Sequence, residues 1–323
     1  MSKALAKRII LALAPVIDLL FAPLVALAGC MFAGMRRTGV EHFRLSRRIL
    51  AAVGVFPVRD HYYEPLVNPK HLHRDLSEER ELPGLCLNES GQLEFLKKLC
   101  YRGELNELMG RDGSGAGFSL GNQAFESGDA EYWYSLVRAV KPGRIIEIGS
   151  GNSTLIAIAA IRKNREEQPG YACRHICIEP YEAPWLERAG PEIMRSRVEL
   201  LPTSFFSQLE ANDILFVDSS HVIRPQGDVL FECLQVFPSL RSKVIVHVHD
   251  IFTPRDYPED WIRNRVRLWN EQYLLEAFLT ENREWKVLGA LNFLHHHHYD
   301  ELARICPFLT KDREPGSFYI QRT

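Results

Sequence analysis

From Ala130 onward, short apolar runs alternate with stretches of helical spacing. The runs Arg144–Ile148, His175–Ile178, Val198–Leu201, Ile214–Val217, Val244–Val248, Trp285–Leu288 and Ser317–Ile320 predict seven strands. Continuous apolar strands separated by helices predict a parallel sheet covered on both faces. A long link joins the last two runs and the chain then ends, which suits an antiparallel final strand. A helix over Ala130–Val140 stops at Lys141-Pro142-Gly143, where proline and glycine end it. The fold class expected is α/β, a Rossmann-like, doubly wound, mostly parallel seven-stranded sheet.

The N-terminus has a different pattern. Ile9–Gly34 is apolar, broken only by Asp18, Pro15 and Pro23, and one span needs about 20 such residues. Lys3, Lys7 and Arg8 precede it, and Arg36, Arg37, Arg44, Arg47 and Arg48 follow it. Positive charge stays on the cytoplasmic side, so a helical hairpin turning near Asp18–Pro23 is favoured over a single span. Leu27-Ala28-Gly29-Cys30 matches a lipoprotein cleavage site, but the apolar run continues past it. A buried helical pair is the remaining alternative. Residues 37–125 lack a strong period; Val55–Pro65 is dense in polar aromatics and Gly110–Gly121 is rich in glycine. The expected organisation is a membrane anchor at 1–36, an accessory region or cap at 37–121, and an α/β domain at 122–323.

Composition narrows the function classes. A formal net charge of −2 argues against nucleic acid, since phosphate affinity needs a basic excess. Seven scattered cysteines suit reduced thiols rather than a disulfide framework. Cys173 and Cys177 flank a strand and read as core. The run His295–His298 reads as a solvated or helix-capping stretch rather than a metal site.

The strongest local signal is Glu147-Ile148-Gly149-Ser150-Gly151-Asn152-Ser153-Thr154, an apolar strand entering a glycine turn that opens a helix. Glycines let the backbone approach a ligand, and the helix N-terminus offers free N–H groups. A dinucleotide fingerprint places a glycine where Thr154 stands, and Glu147 would repel a pyrophosphate. A ligand with an ammonium group and no phosphate fits better. The next strand ends at Glu179, where a carboxylate can accept both ribose hydroxyls. Together with Asp218 after a later apolar strand, and with Phe125–Glu131 and Val217–His221, these residues resemble class I S-adenosylmethionine (SAM)-dependent methyltransferases. The resemblance covers residues 122–323 and is closest to a bacterial subfamily acting on sugars and natural products. It implies that Glu147, Gly149 and Gly151 hold the methionine end of SAM and Glu179 the ribose, and that Ser153 and Asp218 also bind the cofactor. With the apolar N-terminus it implies the cytoplasmic face of a bacterial inner membrane and a sugar or lipid-linked glycan acceptor.

Two adjacent strands deliver Asp218 and His221, and His249 and Asp250, to one edge of the sheet. His221 can act as general base toward an acceptor hydroxyl. Asp218 and Asp250 can hold Mg²⁺, which would acidify that hydroxyl. Similarity to metal-dependent sugar O-methyltransferases implies His221 as base and Asp218 as ligand; His249 stands where those enzymes carry a second acid. By strand alternation His247 faces away from Asp250 and reads as core, and Asp228 reads as a solvated helix residue. Ser204-Phe205-Phe206 reads either as an adenine cover or as core. Ile251–Trp261 reads as a loop over the site, and Tyr62, Tyr63 and the loop Gly113–Gly117 as candidates for shaping the acceptor pocket. Two further classes fit parts of the pattern, a non-catalytic SAM-fold scaffold at a membrane assembly and a nicotinamide oxidoreductase. Thr154 and Glu147 speak against the second.

Overall fold

The computed structural model describes residues 3–110, 114–115, 117–181 and 184–323, in two units, Met1–Leu72 and His73–Thr323. In the first unit Lys3–Thr38 form one continuous helix, α1, with Pro15 and Pro23 inside it. The hairpin expected at Asp18–Pro23 does not form. Leucine and alanine, both strong helix formers, surround the two prolines and carry the helix through. Its apolar stretch, Ile10–Thr38, is long enough to cross a bilayer, and none of its apolar window is buried, so the buried-pair reading does not hold either. A second helix, α2 (Arg44–Val53), is amphipathic. Helical spacing sets Arg44, Arg47 and Arg48 on one face and the exposed Leu45, Ile49 and Val53 on the other.

The second unit is built on a seven-stranded sheet: β1 (Arg144–Ile148), β2 (Arg174–Ile178), β3 (Glu192–Met194), β4 (Ile214–Val217), β5 (Ile245–Val248), β6 (Trp285–Ala290) and β7 (Phe318–Arg322). The order is β3-β2-β1-β4-β5-β7-β6, and only β7 runs antiparallel to its neighbours. Alternation sorts the apolar side chains to two faces. Ile146, Ile148, Leu215, Val217, Val246 and Val248 join one core. Ile145, Phe216 and Ile245 join another, beneath α3 (Asp129–Val140) and α4 (Asn152–Glu167).

Register makes this sheet a platform. Ile148 pairs with both Ile178 and Val217, and Val217 pairs with Val248. These four residues end their strands in one row, so Gly149, Glu179, Asp218 and His249 emerge side by side. The strand order reverses between β1 and β4, the position where open α/β sheets bind ligands.

One expected strand is displaced. Within it Val198–Leu200 form a 3₁₀ turn, with Val198 buried and Leu200 71% exposed. Val198 and Leu201 stand three apart, the period of that turn. The edge of the sheet is the three-residue β3, Glu192-Ile193-Met194, too short to show as an apolar run.

Part of the stretch read as accessory is stitched to the sheet. Asn88 donates to the carbonyl of Val287 at 2.8 Å, and Gln92 accepts the amide of Ala290 at 2.6 Å, both on edge strand β6. Arg138 on α3, 2% exposed, donates to both oxygens of Glu104 at 2.7 and 2.8 Å. The loop Gly113–Gly117 lies largely outside the described residues, and Tyr62 and Tyr63 are exposed in the first unit.

Replacing Arg138 with methionine removes the fork but leaves Glu104 partly hydrated, so urea unfolding should show a loss of about 2 kcal/mol. Adding Glu104→Gln should cost little more. Full additivity of the two would mean that the pair does not join the helices.

Candidate active site

After Ile148 the chain turns through Gly149 into α4. Gly149 has φ +78°, and a Cβ there would lie 2.0 Å from the carbonyl oxygen of Asp218. Its amide donates to Ile178 at 3.1 Å, while the amide of Asp218 donates to Ile148 at 2.9 Å. The turn is therefore clamped between the ends of β2 and β4. Nothing lies within 4 Å of a Cβ built on Gly151, so that position leaves open space over the turn.

Glu147, expected at the methionine end of SAM, has another place. Alternation turns it away from Ile148 to the helix-covered face, where it is fully buried. Its carboxylate accepts the Thr154 hydroxyl at 2.5 Å, and that hydroxyl accepts the Gly151 amide at 3.1 Å. Glu147 thus braces the glycine turn from beneath. Ser153 is also buried, its carbonyl accepting the Trp133 indole N–H at 3.2 Å. Of the three residues expected at the methionine end, only Gly149 lines the cleft above the turn.

That cleft has a volume of about 420 Å³, with Glu179, Arg224, Asp228, Asp218 and Ser219 in its wall. Glu179 accepts the Ser150 amide at 3.3 Å and the Tyr181 amide at 2.9 Å, one on each oxygen. The backbone so fixes a carboxylate whose remaining lone pairs can take a diol. Phe206 does not reach the cleft; it is fully buried core.

The loop after β4 is held by three buried acids. Ser219 donates to Glu232 at 3.0 Å. Ser220 donates its amide and hydroxyl to Asp228 at 3.0 and 2.6 Å. His221 donates Nδ1–H to Glu271 at 2.8 Å. Asp228 is therefore not the solvated helix residue expected; it is 8% exposed and supports the loop. Glu271 opens α5 (Glu271–Leu279), and its own amide, with that of Asn270, is capped by the His221 carbonyl. No motif marks Glu271, fifty residues from its partner; Asp228 and Glu232 stand four apart, a helical spacing that sets both carboxylates toward the loop.

His221 is 5% exposed with φ +59°, and Asp250 has φ +57°. Such left-handed conformations at non-glycine residues store strain that the surroundings must hold. The His221 Nε2 lies 3.2 Å from Asp218 and 3.7 Å from Asp250. Burial alone would lower the pKa of His221, but its hydrogen bonds to Asp218 and Glu271 carry it well above the ordinary value. Burial would raise that of Asp218, yet the hydrogen bond from His221 and the field of His249 hold it at about 2. Asp250 is pushed up by its burial, against the pull of His249 and His221.

A second cleft, of about 700 Å³, opens on the far side of Asp218. His221, His249, Asp250, Asp129, Trp261 and Trp269 line it. Asp218 belongs to the walls of both clefts. The loop expected over the site supplies Phe252, Pro258 and Trp261. His247 is core, stacked on Phe216 with centroids 4.0 Å apart. The histidine run disperses, His296, His297 and His298 reaching Glu314, Glu79 and Glu89 respectively.

Residues 146–251 match a family described as a methyltransferase domain. Over that stretch the chain is similar to a methyltransferase domain. The match spans the glycine turn, Glu179 and the loop that bears His221. An uncharacterized protein of Archaeoglobus fulgidus is 29% identical over 173 residues, which is 50% of this chain and 76% of that protein. Solved structures similar to this chain include the O-methyltransferase TomG from Streptomyces achromogenes, involved in tomaymycin synthesis and in complex with SAM (16% identity, 71% of this chain, 90% of that one, TM-score 0.38). Another is the O-methyltransferase from Bacillus cereus in complex with SAH (13% identity, 71% and 91%, TM-score 0.36).

Gly149→Ala should lower stability by about 2–3 kcal/mol, from the positive φ and the collision with Asp218. Gly151→Ala should fold within about 0.5 kcal/mol of the natural protein. Paired thermal unfolding curves check both, and equal losses would contradict the clamp.

Proposed function

We propose that this methyltransferase transfers the SAM methyl group to a hydroxyl of a sugar or lipid-linked glycan, with His221 as base. The observation that carries this reading is Asp218, the shared wall of two clefts with His221 beside it. SAM takes the smaller cleft, its ribose on Glu179 and its sulfonium toward Asp218, whose carboxylate remains ionised and attracts that charge. The acceptor takes the larger cleft, where acids and histidines interleaved with Trp261 and Trp269 suit a polyol. The hydroxyl oxygen bonds to the methyl carbon as the carbon–sulfur bond breaks, and His221 Nε2 takes the hydroxyl proton. The products are a methyl ether, S-adenosylhomocysteine and a protonated His221. Glu271 holds Nδ1–H and so presents Nε2 to the acceptor.

Asp218, His221 and Asp250 bring one ligand atom each within 4.8 Å of one another. The two carboxylates fit Mg²⁺, which takes oxygen ligands and would supply a Lewis acid there; the imidazole nitrogen between them does not. The protein reaches its acceptor at a membrane through α1. Five arginines after the apolar stretch against three basic residues before it favour a cytoplasmic position for the catalytic unit, where SAM is available. The arginine and apolar faces of α2 suit the headgroup layer.

The test is transfer of labelled methyl from SAM to lipid-extractable glycans, with and without a chelator. Transfer insensitive to the chelator leaves His221 as sufficient; no transfer to any glycan fraction contradicts the acceptor class. His221→Asn should lower kcat by about 10²–10⁴-fold with SAM affinity retained. A base works only when neutral, and the pKa of His221 is raised, so kcat/KM should climb with pH through a limb above about 6.5. A limb below that value would show that another group takes the proton.

A further inference from the structure

Arg267 stands out in the larger cleft as a cation prepared for a partner that the chain does not provide. Its guanidinium carbon sits 4.1 Å from the ring centre of Trp261 and 4.0 Å from that of Trp269. The two indoles are nearly perpendicular, at 81°, and form a corner that seats the guanidinium. The Arg267 amide donates to the Trp261 carbonyl at 2.9 Å and fixes the backbone beneath it. The other arginines of this cleft are occupied: Arg265 is paired with Asp260 at 2.6 Å and Arg313 with Glu126. Among the described residues no carboxylate oxygen lies within 4.0 Å of the Arg267 nitrogens. Aromatic faces accept the cation but not its N–H groups. The planar fork therefore keeps its donors free, already ordered, for a bidentate oxyanion.

The distance to the chemistry is bounded. One ring, that of Trp269, lies 4.2 Å from the His221 imidazole and 4.0 Å from the Arg267 carbon, so the two are at most about 8 Å apart. A single hexose with its substituents covers that span.

We infer that Arg267 selects an acceptor bearing an oxyanion, carboxylate or phosphate, on the same sugar unit as the hydroxyl that His221 serves. The inference deepens the proposed function and rests on it for naming the larger cleft as the acceptor site. A carboxylate on the sugar and a phosphate at its anomeric linkage share this chemistry, and a uronate and a sugar phosphate separate them.

The experiment is an NMR titration of the full chain, saturated with S-adenosylhomocysteine and again without it. The probes are methyl glucuronide, glucose 1-phosphate and the neutral methyl glucoside. At least one anionic probe should bind about tenfold or more tighter than the glucoside, and added salt should weaken only that binding. Arg267→Gln should bring the anionic and neutral probes within about twofold of each other, and Arg267→Lys, which keeps charge without the fork, should restore part of the preference. Unchanged S-adenosylhomocysteine affinity in both variants separates recognition from a packing role. Equal binding of charged and neutral probes, no binding of any probe, or a charge preference that survives Arg267→Gln overturns the inference. A protein that prefers the anionic probe through Arg267 yet ignores S-adenosylhomocysteine would keep Arg267 as an anion receptor and remove the methyltransferase reading instead.

Discussion

The contact between Gly149 and the carbonyl of Asp218 organises this molecule. A side chain at 149 would occupy the space where the end of β4 crosses the glycine turn. Because β1, β2, β4 and β5 end in one row, that crossing brings the residue after each strand to a common edge. Glu179 and Asp218 then face one cleft, and Asp218 and His249 the other. A backbone approach of this kind is set by strand register, since a one-residue slip would carry Glu147 or His247 into the apolar core of Ile146, Leu215 and Val246.

The electrostatics follow from where charge is buried. One imidazole lies among Asp218, Asp250 and Glu271. Its partners favour the protonated ring, and the protonated ring in turn keeps Asp218 ionised. A sulfonium arriving beside Asp218 would compete for the same carboxylate and loosen the hold on the imidazole proton. In the proposed reaction, binding of the cationic cosubstrate and release of the base would thereby be coupled through one side chain. The serine-bound acids Glu232 and Asp228 hold the loop at the spacing this coupling needs.

Much of this was written in the chain. The long apolar runs announced β1, β2, β4, β5 and the two C-terminal strands, because a buried parallel strand must be apolar throughout. The three-residue β3 was hidden because an exposed edge strand has no such requirement. Glu147 was noticed for its place before the glycine but assigned to the ligand, whereas alternation puts it under the turn with Thr154. Asp228 looked like a surface residue because its partner, Ser220, lies on a loop whose path no pattern fixes. Glu271 and Arg267 left no trace, since their roles depend on His221 and Trp261 being brought to them by tertiary packing. The continuous α1 defeated the expectation of a turn, two prolines being insufficient to break a run of strong helix formers.

The placement of the cofactor is the claim on which the remaining chemistry depends. A crystal structure with S-adenosylhomocysteine bound measures it directly. In the proposed complex the ribose hydroxyls lie on the Glu179 carboxylate and the sulfur at Asp218, turned toward His221 and the larger cleft. A nucleoside bound away from Glu179, or a sulfur directed away from Asp218, would contradict it.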